Sequence, residues 1–242
     1  MSVTSEITRI KTNIANAYTE LKNKEADIPE IENSENLASS IASISSGPSI
    51  TKGIIIKDVN ENGFVTDIEI KGVETIPGEY LYHDLAARNV FYIHLKNIEL
   101  DSSVKNIGNY AFYNLAELEN INLDNINSLG TYCLYGCKNL LIDELPNGIT
   151  IIPNYCFANC SKLQTLTCKG DITQIGSYAF RWTSLKTLIL PNITSVPELL
   201  GSFGNTNINS GTIYVPDNLV EDFKVATNWS SYASRIKGIS EM

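Results

Sequence analysis

The chain has 242 residues, enough to bury a sizeable core without disulfides or metals, and its 43% hydrophobic and 19% charged residues are those of a folded protein. A formal charge of -9 argues against nucleic-acid and anionic membrane partners, whose recognition rests on clustered Lys and Arg. With two histidines, His83 and His94, there is little material for acid-base catalysis near neutral pH, and most enzyme classes lose weight.

The opening MSVTSEITRIK has neither the apolar run nor the cleavage site of a secretory signal, and no apolar stretch reaches bilayer-spanning length. Synthesis in the cytoplasm without a signal peptide or membrane insertion is expected. Residues 2 to 24 read as a helix in which Val3, Ile7, Ile10, Ile14, Ala17 and Leu21 form the apolar seam of three heptads. Ile at both a and d leans toward trimers. The other reading packs this stripe against a second short helix of the same chain, showing Leu37, Ile41 and Ile44, because three heptads alone are marginal in water. Residues 1 to 46 are thus expected to be a helical attachment or oligomerisation segment.

The stretch SSGPS, residues 45 to 49, punctuates a boundary. Ile54 and Ile56, a tight turn at Asn62-Gly63, and Phe64, Ile68 and Ile70 predict a hairpin, so that residues 47 to 72 are linker and cap. From Val73 the chain repeats itself: Val73/Ile76-Pro77, Val104/Ile107-Gly108, Ile126/Leu129-Gly130, Ile149/Ile152-Pro153, Ile172/Ile175-Gly176 and Ile193/Val196-Pro197. Four units continue with Tyr110-Ala-Phe112, Tyr132-Cys-Leu134, Tyr155-Cys-Phe157 and Tyr178-Ala-Phe180, and then a leucine-rich strand. The first is irregular, with Tyr80-Leu-Tyr82 followed by Val90, Ile93 and Leu95.

A unit of about two dozen residues cannot bury its own apolar face, so neighbours must stack into a solenoid with capped ends. Residues 73 to 215 are that leucine-rich repeat solenoid, β-rich with short stacked strands. Residues 216 to 242 are its C-terminal cap, a helix from about residue 218 followed by Trp229, Tyr232, Ile236 and Ile239.

The units IGNYAFYNL (107 to 115), LGTYCLYGC (129 to 137), IPNYCFANC (152 to 160) and IGSYAFRWT (175 to 183) resemble the BspA-like class of leucine-rich repeats, and the C-terminal segment resembles the cap of that class. The resemblance spans roughly residues 73 to 240 and implies the fold; members of that class serve as surface adhesins and ligand-binding modules. NIANAYTEL, IPEIENSENLASSIASI and DVNENGF resemble N-terminal regions of leucine-rich repeat proteins encoded among phage and prophage tail genes.

Cys133, Cys137, Cys156 and Cys160 spell CxxxC twice and invite a four-thiolate zinc site. The repeat explains them instead, since neighbouring units place Ala111 with Leu115 and Ala179 with Thr183 in the same columns. With Cys168 the thiols are odd in number, which fits free cysteines in a reducing compartment, and stacking would bring Cys137 near Cys160. No metal, cofactor or catalytic residue is expected. Asp143 and Glu144 alternate across a strand and so cannot converge as a carboxylate pair.

The exposed side of the stacked strands is the candidate binding face. Its outward alternates are Tyr92 and His94, Asn120 and Asn122, Ile142 and Glu144, Thr165 and Thr167, Thr187 and Ile189, and Thr212 and Tyr214. Such a strip suits a glycan or a protein; the bland alternative is a polar face that only meets water. The expected function is non-enzymatic: a phage or prophage tail-associated virion component displaying the repeats for host-surface recognition, docked to other tail proteins or to itself as a homotrimer through its N-terminal helix. A bacterial surface adhesin or extracellular binding module is the alternative.

Overall fold

Short strands whose buried side chains recur at a fixed spacing dominate the computed structural model, which describes residues 54–60, 65–78 and 94–242. An antiparallel pair, β1 (Ile54–Val59) and β2 (Val65–Ile70), comes first. Next are β3 (Thr75–Ile76), β4 (Asn97–Leu100), β5 (Asn106–Ile107), β6 (Asn120–Ile121), β7 (Ser128–Leu129) and β8 (Glu144–Leu145). Then follow β9 (Ile151–Ile152), β10 (Thr165–Cys168), β11 (Gln174–Ile175), β12 (Thr187–Ile189) and β13 (Glu198–Leu199). Strand β14 (Thr212–Val215), the six-residue helix α1 (Val220–Val225) and β15 (Ile236–Gly238) complete the fold. The heptad seam of Val3, Ile7, Ile10, Ile14, Ala17 and Leu21, the second short helix, and Tyr80 to Ile93 lie outside the described residues.

Each unit gives one strand to each of two strips. On one side run β1-β2-β4-β6 and then β8-β10-β12-β14-β15; on the other run β3-β5-β7 and β9-β11-β13. All these pairings are parallel except β1 with β2, and they hold equivalent residues in line, as Leu166, Leu188 and Ile213. The protein is therefore a leucine-rich repeat ladder with little helix. Among the described residues no helix is long and apolar enough to cross a membrane.

One continuous core runs from Val65 to Ile236. Phe157, Phe180 and Phe203 stack ring on ring at 5.8 and 5.7 Å. The Ala/Cys column (Ala111, Cys133, Cys156, Ala179) is wholly buried between the strand and the large core residue that directly follows each, Phe112, Leu134, Phe157 and Phe180, where a small side chain fits. The tyrosines stand apart from the leucines and thiols. Tyr110, Tyr132, Tyr155 and Tyr178 all have left-handed backbone, φ between 54 and 60°, and stand half-buried or exposed outside the core. Left-handed geometry costs an L-residue roughly 1–2 kcal/mol. Stacking offsets part of that: Tyr110, Tyr132 and Tyr155 lie 4.8 and 4.5 Å apart with planes 6° from parallel. A second left-handed column four residues on holds Asn114, Gly136, Asn159, Trp182 and Asn205.

Three local readings of the sequence shift. In the first unit the strand is Asn97–Leu100, so Leu95, Ile98 and Leu100, all buried, take the columns of Leu118, Ile121 and Leu123, and not Val90, Ile93 and Leu95. In the sixth unit the partner of Ile175 is Leu199, not Val196. The step from strand to buried ring explains this. It is five residues from Ile175 to Phe180, four from Leu199 to Phe203, and would be seven from Val196. At the end, Ile236–Gly238 adds a further parallel strand beside β14 where a side-chain cap is expected. Buried Trp229 closes the ring stack, edge-on to Phe203 and Phe223, and donates from Nε1 to the Pro197 carbonyl at 2.7 Å.

Candidate functional site

Pairing fixes which side chains form the open face. The first outward column is Asn97, Asn120, Ile142, Thr165, Thr187 and Thr212; the second is Glu99, Asn122, Glu144, Thr167, Ile189 and Tyr214. His94 is not among them. It precedes β4 and sets its Nδ1 3.2 Å from Glu117 Oε1, because the first unit's strand begins later than its leucine spacing predicts. Tyr92 lies outside the described residues. Asn97 and Glu99 take the places read for Tyr92 and His94, and only the register shift exposes them.

Several of these polar groups are already engaged. The Asn120 amide donates to Asn97 Oδ1 at 2.7 Å, and Asn97 donates to Asp67 Oδ1 at 2.5 Å, a side-chain ladder running along the face. Asn122 is an edge filler: its Oδ1 accepts from the Leu100 amide at 2.6 Å and its Nδ2 donates to the Leu100 carbonyl at 2.8 Å, as the backbone of one more strand residue would. Glu144 pairs with Lys169 at 2.6 Å, both partly exposed. Thr165, Thr167, Thr187 and Thr212 form the smooth half of the face, with Ile142 and Ile189 half-buried between them.

The face is broken between β6 and β8, and one residue accounts for the break. Three positions after the turn leucine, the units carry Ile121, Leu166 and Leu188, all buried, but the third unit carries Asp143. A carboxylate cannot enter that apolar column without a partner. Asp143 turns out to solvent, the strand shortens to Glu144–Leu145, and Leu145 regains the core. Backbone pairing thins at the same place. The amides of Glu119 and Asn120 share the Lys96 carbonyl, and those of Lys186 and Thr187 share that of Gln164, but only Leu141 donates to Glu119. The result is a cleft of about 410 Å³ lined by Asn122, Asp124, Leu141, Asp143, Glu144 and Asn147, with Leu141 57% exposed. Asp143 and Glu144 do not alternate across a strand, as their spacing alone implies; both are exposed. Asn122, Ile142 and Glu144 of the sequence-based face reach this cleft. The signal that could have located it was in view: an Asp in a leucine column.

The thiols belong to the core. Cys133 and Cys156 touch at 3.4 Å between sulfurs, Cys137 donates to the Phe112 carbonyl and Cys160 to the Leu134 carbonyl, each at 3.2 Å. The sulfurs in direct contact are the first of each CxxxC, and Cys137 also lies near Cys160, as the stacking predicts. Among the described residues no three of His, Cys, Asp and Glu gather where an ion could sit. Burial pushes the thiols of Cys137, Cys156 and Cys160 far up, and that of Cys168 up to about 12.

This arrangement defines a class, a repeat ladder with an open strand face and reactive groups sealed inside. The sequence matches the family described as the BspA type leucine rich repeat region, in six copies over residues 87–209. The chain belongs to that family. No curated protein matches it. Among solved structures it is similar to a leucine rich cell surface protein from Faecalibacterium prausnitzii A2-165, at 17% identity and a TM-score of 0.42, over 65% of this chain and 52% of that one. The chain thus spans about half the length of that protein.

The thiols set a pH dependence. Below the ordinary thiol pKa of about 8.5 the folded and unfolded states both keep the protons, and above it only the unfolded chain ionises. Stability is therefore expected to be flat to about pH 8 and to fall as pH rises toward 12, by up to about 1.4 kcal/mol per pH unit for each shifted thiol. Urea unfolding at several pH values, with thiol alkylation silent on the native protein, checks this; a midpoint unchanged to pH 10 contradicts it.

Proposed function

We propose that the protein is a non-enzymatic recognition module, carried in several copies on a surface and meeting a glycan or protein with its open strand face. The observation that carries this reading is the seam at Asp143, where the ladder gives up a buried leucine and its strand pairing and gains an open, polar-lined cleft. A fold built from repeated apolar columns has no packing reason for that substitution, and local violations of a fold's own pattern concentrate at functional positions. Asp143→Leu tests it. The substitution is expected to restore the column, raise stability by about 2 kcal/mol in urea unfolding, and abolish binding of the full chain to an array of surface glycans and cell-envelope proteins. A stabilised variant that still binds as the parent does would remove the seam from the reading.

For the carrier, the heptad seam from Val3 to Leu21 and the likeness of the N-terminal segment to tail-associated proteins support a virion or tail-like particle, where copy number multiplies weak contacts. Membership of the BspA type family supports the second reading, an adhesin or extracellular binding module of a bacterial surface. Light scattering separates them. A trimer that the double substitution Ile7→Asp and Ile14→Asp converts to a monomer supports particle attachment through the helix; a full chain that is already monomeric contradicts it and favours the adhesin.

A further inference from the structure

We infer a second binding site, on the turn side of the ladder and independent of the seam, for a pyranose carrying a carboxylate. The tyrosine ladder ends abruptly there. The column Tyr110, Tyr132, Tyr155, Tyr178 is continued by Gly201, which keeps the left-handed backbone at φ 70° and has no heavy atom within 4 Å of where a side chain would begin. The neighbouring column, Tyr113, Tyr135, Ala158, Arg181, is continued by Gly204. Pairing confirms the alignment, since the Trp182 amide donates to the Gly204 carbonyl and that of Phe180 to the Ser202 carbonyl. The last rung therefore lacks the outer ring that every earlier rung from Tyr110 carries, and Tyr178 is left tilted 32° from Tyr155 and 40% exposed.

Beside this gap stands a cation without a carboxylate. The Arg181 guanidinium lies over the Tyr178 ring at 4.9 Å and over Trp182 at 4.1 Å, and among the described residues it forms no ion pair. The guanidinium rests against two rings, and a group so placed keeps its planar fork of N–H donors, which can grip one carboxylate with two parallel bonds. Trp182 is 43% exposed although Arg181 covers one side of it. It also sits at φ 59° in a column that elsewhere carries Asn or Gly, a conformation that a bulky residue rarely keeps. Packing does not ask for a tryptophan there.

An exposed indole beside an unpaired guanidinium matches a sugar acid: the C–H face of a pyranose needs an aromatic platform on one side only, and its single carboxylate needs one fork. A nucleobase prefers a ring on each side, and a phosphate more donors than one arginine supplies. On a chain of formal charge -9, the preference for an anion is set locally by Arg181.

Titration of the full chain with methyl glucuronide, methyl glucoside and AMP, followed by tryptophan emission and by saturation-transfer NMR, tests the site. Trp229 is wholly buried, so the emission change reports Trp182. Saturable binding of the glucuronide, at least tenfold tighter than the glucoside, is expected. Trp182→Asn installs the residue found at 114, 159 and 205, so its thermal midpoint should hold while the NMR signal is lost. Arg181→Gln should remove the preference for the charged sugar. No saturable glucuronide binding, equal binding of the two sugars, tighter binding of AMP, or a folded Trp182→Asn variant that binds as the parent does would each overturn the proposal.

Discussion

Each rung buries its side chains only against the rung before it and the rung after it, and this one constraint governs everything else in the molecule. Leu163, Leu166 and Cys168 are inaccessible because Leu140 and Leu145 lie below and Leu185, Leu188 and Leu190 above. A column is therefore a contract between neighbours: a residue that changes size, charge or backbone conformation alters three units, not one. Trp229 and the turn of β15 meet the same demand at the end, where no further rung is present to cover Phe203.

The same constraint makes irregularities informative. Three columns change character abruptly: Asp143 enters a leucine column, Gly201 ends the outer tyrosine column, and Trp182 takes an Asn or Gly position. None improves packing. Two of the three lie together on the turn side and one on the strand side, so the ladder offers two separate surfaces on one frame. The thiols fall on the other side of this division. They vary with Ala, Leu and Thr in wholly buried columns, and their raised pKa values follow from burial without any functional arrangement.

The interval of about two dozen residues between Ile-Gly or Ile-Pro steps was enough to define the ladder, because a repeat that short has no other way to bury its leucines. The packing role of the CxxxC pairs was legible for the same reason, by comparing columns. What sequence could not fix was the start of the strand in the two irregular units, where several apolar residues compete and only pairing decides between Ile93 and Ile98, or Val196 and Leu199. Nor does spacing reveal that the tyrosines stand in left-handed backbone outside the core. The cleft is half legible in the sequence: Asp143 stands out in a leucine column, but strand alternation does not hold at a residue whose charge keeps it out of the buried column.

Hydrogen exchange along the full chain tests the account most directly. Neither the Ile142 nor the Asp143 amide has a backbone partner, whereas Thr187 and Thr167 donate to Gln164 and Asp143 within continuous pairing. The account predicts slow exchange through 165–168 and 187–189 interrupted by fast exchange at 142–143. Uniform protection from 119 to 168 would contradict it, because it would mean that the ladder passes through Asp143 unbroken.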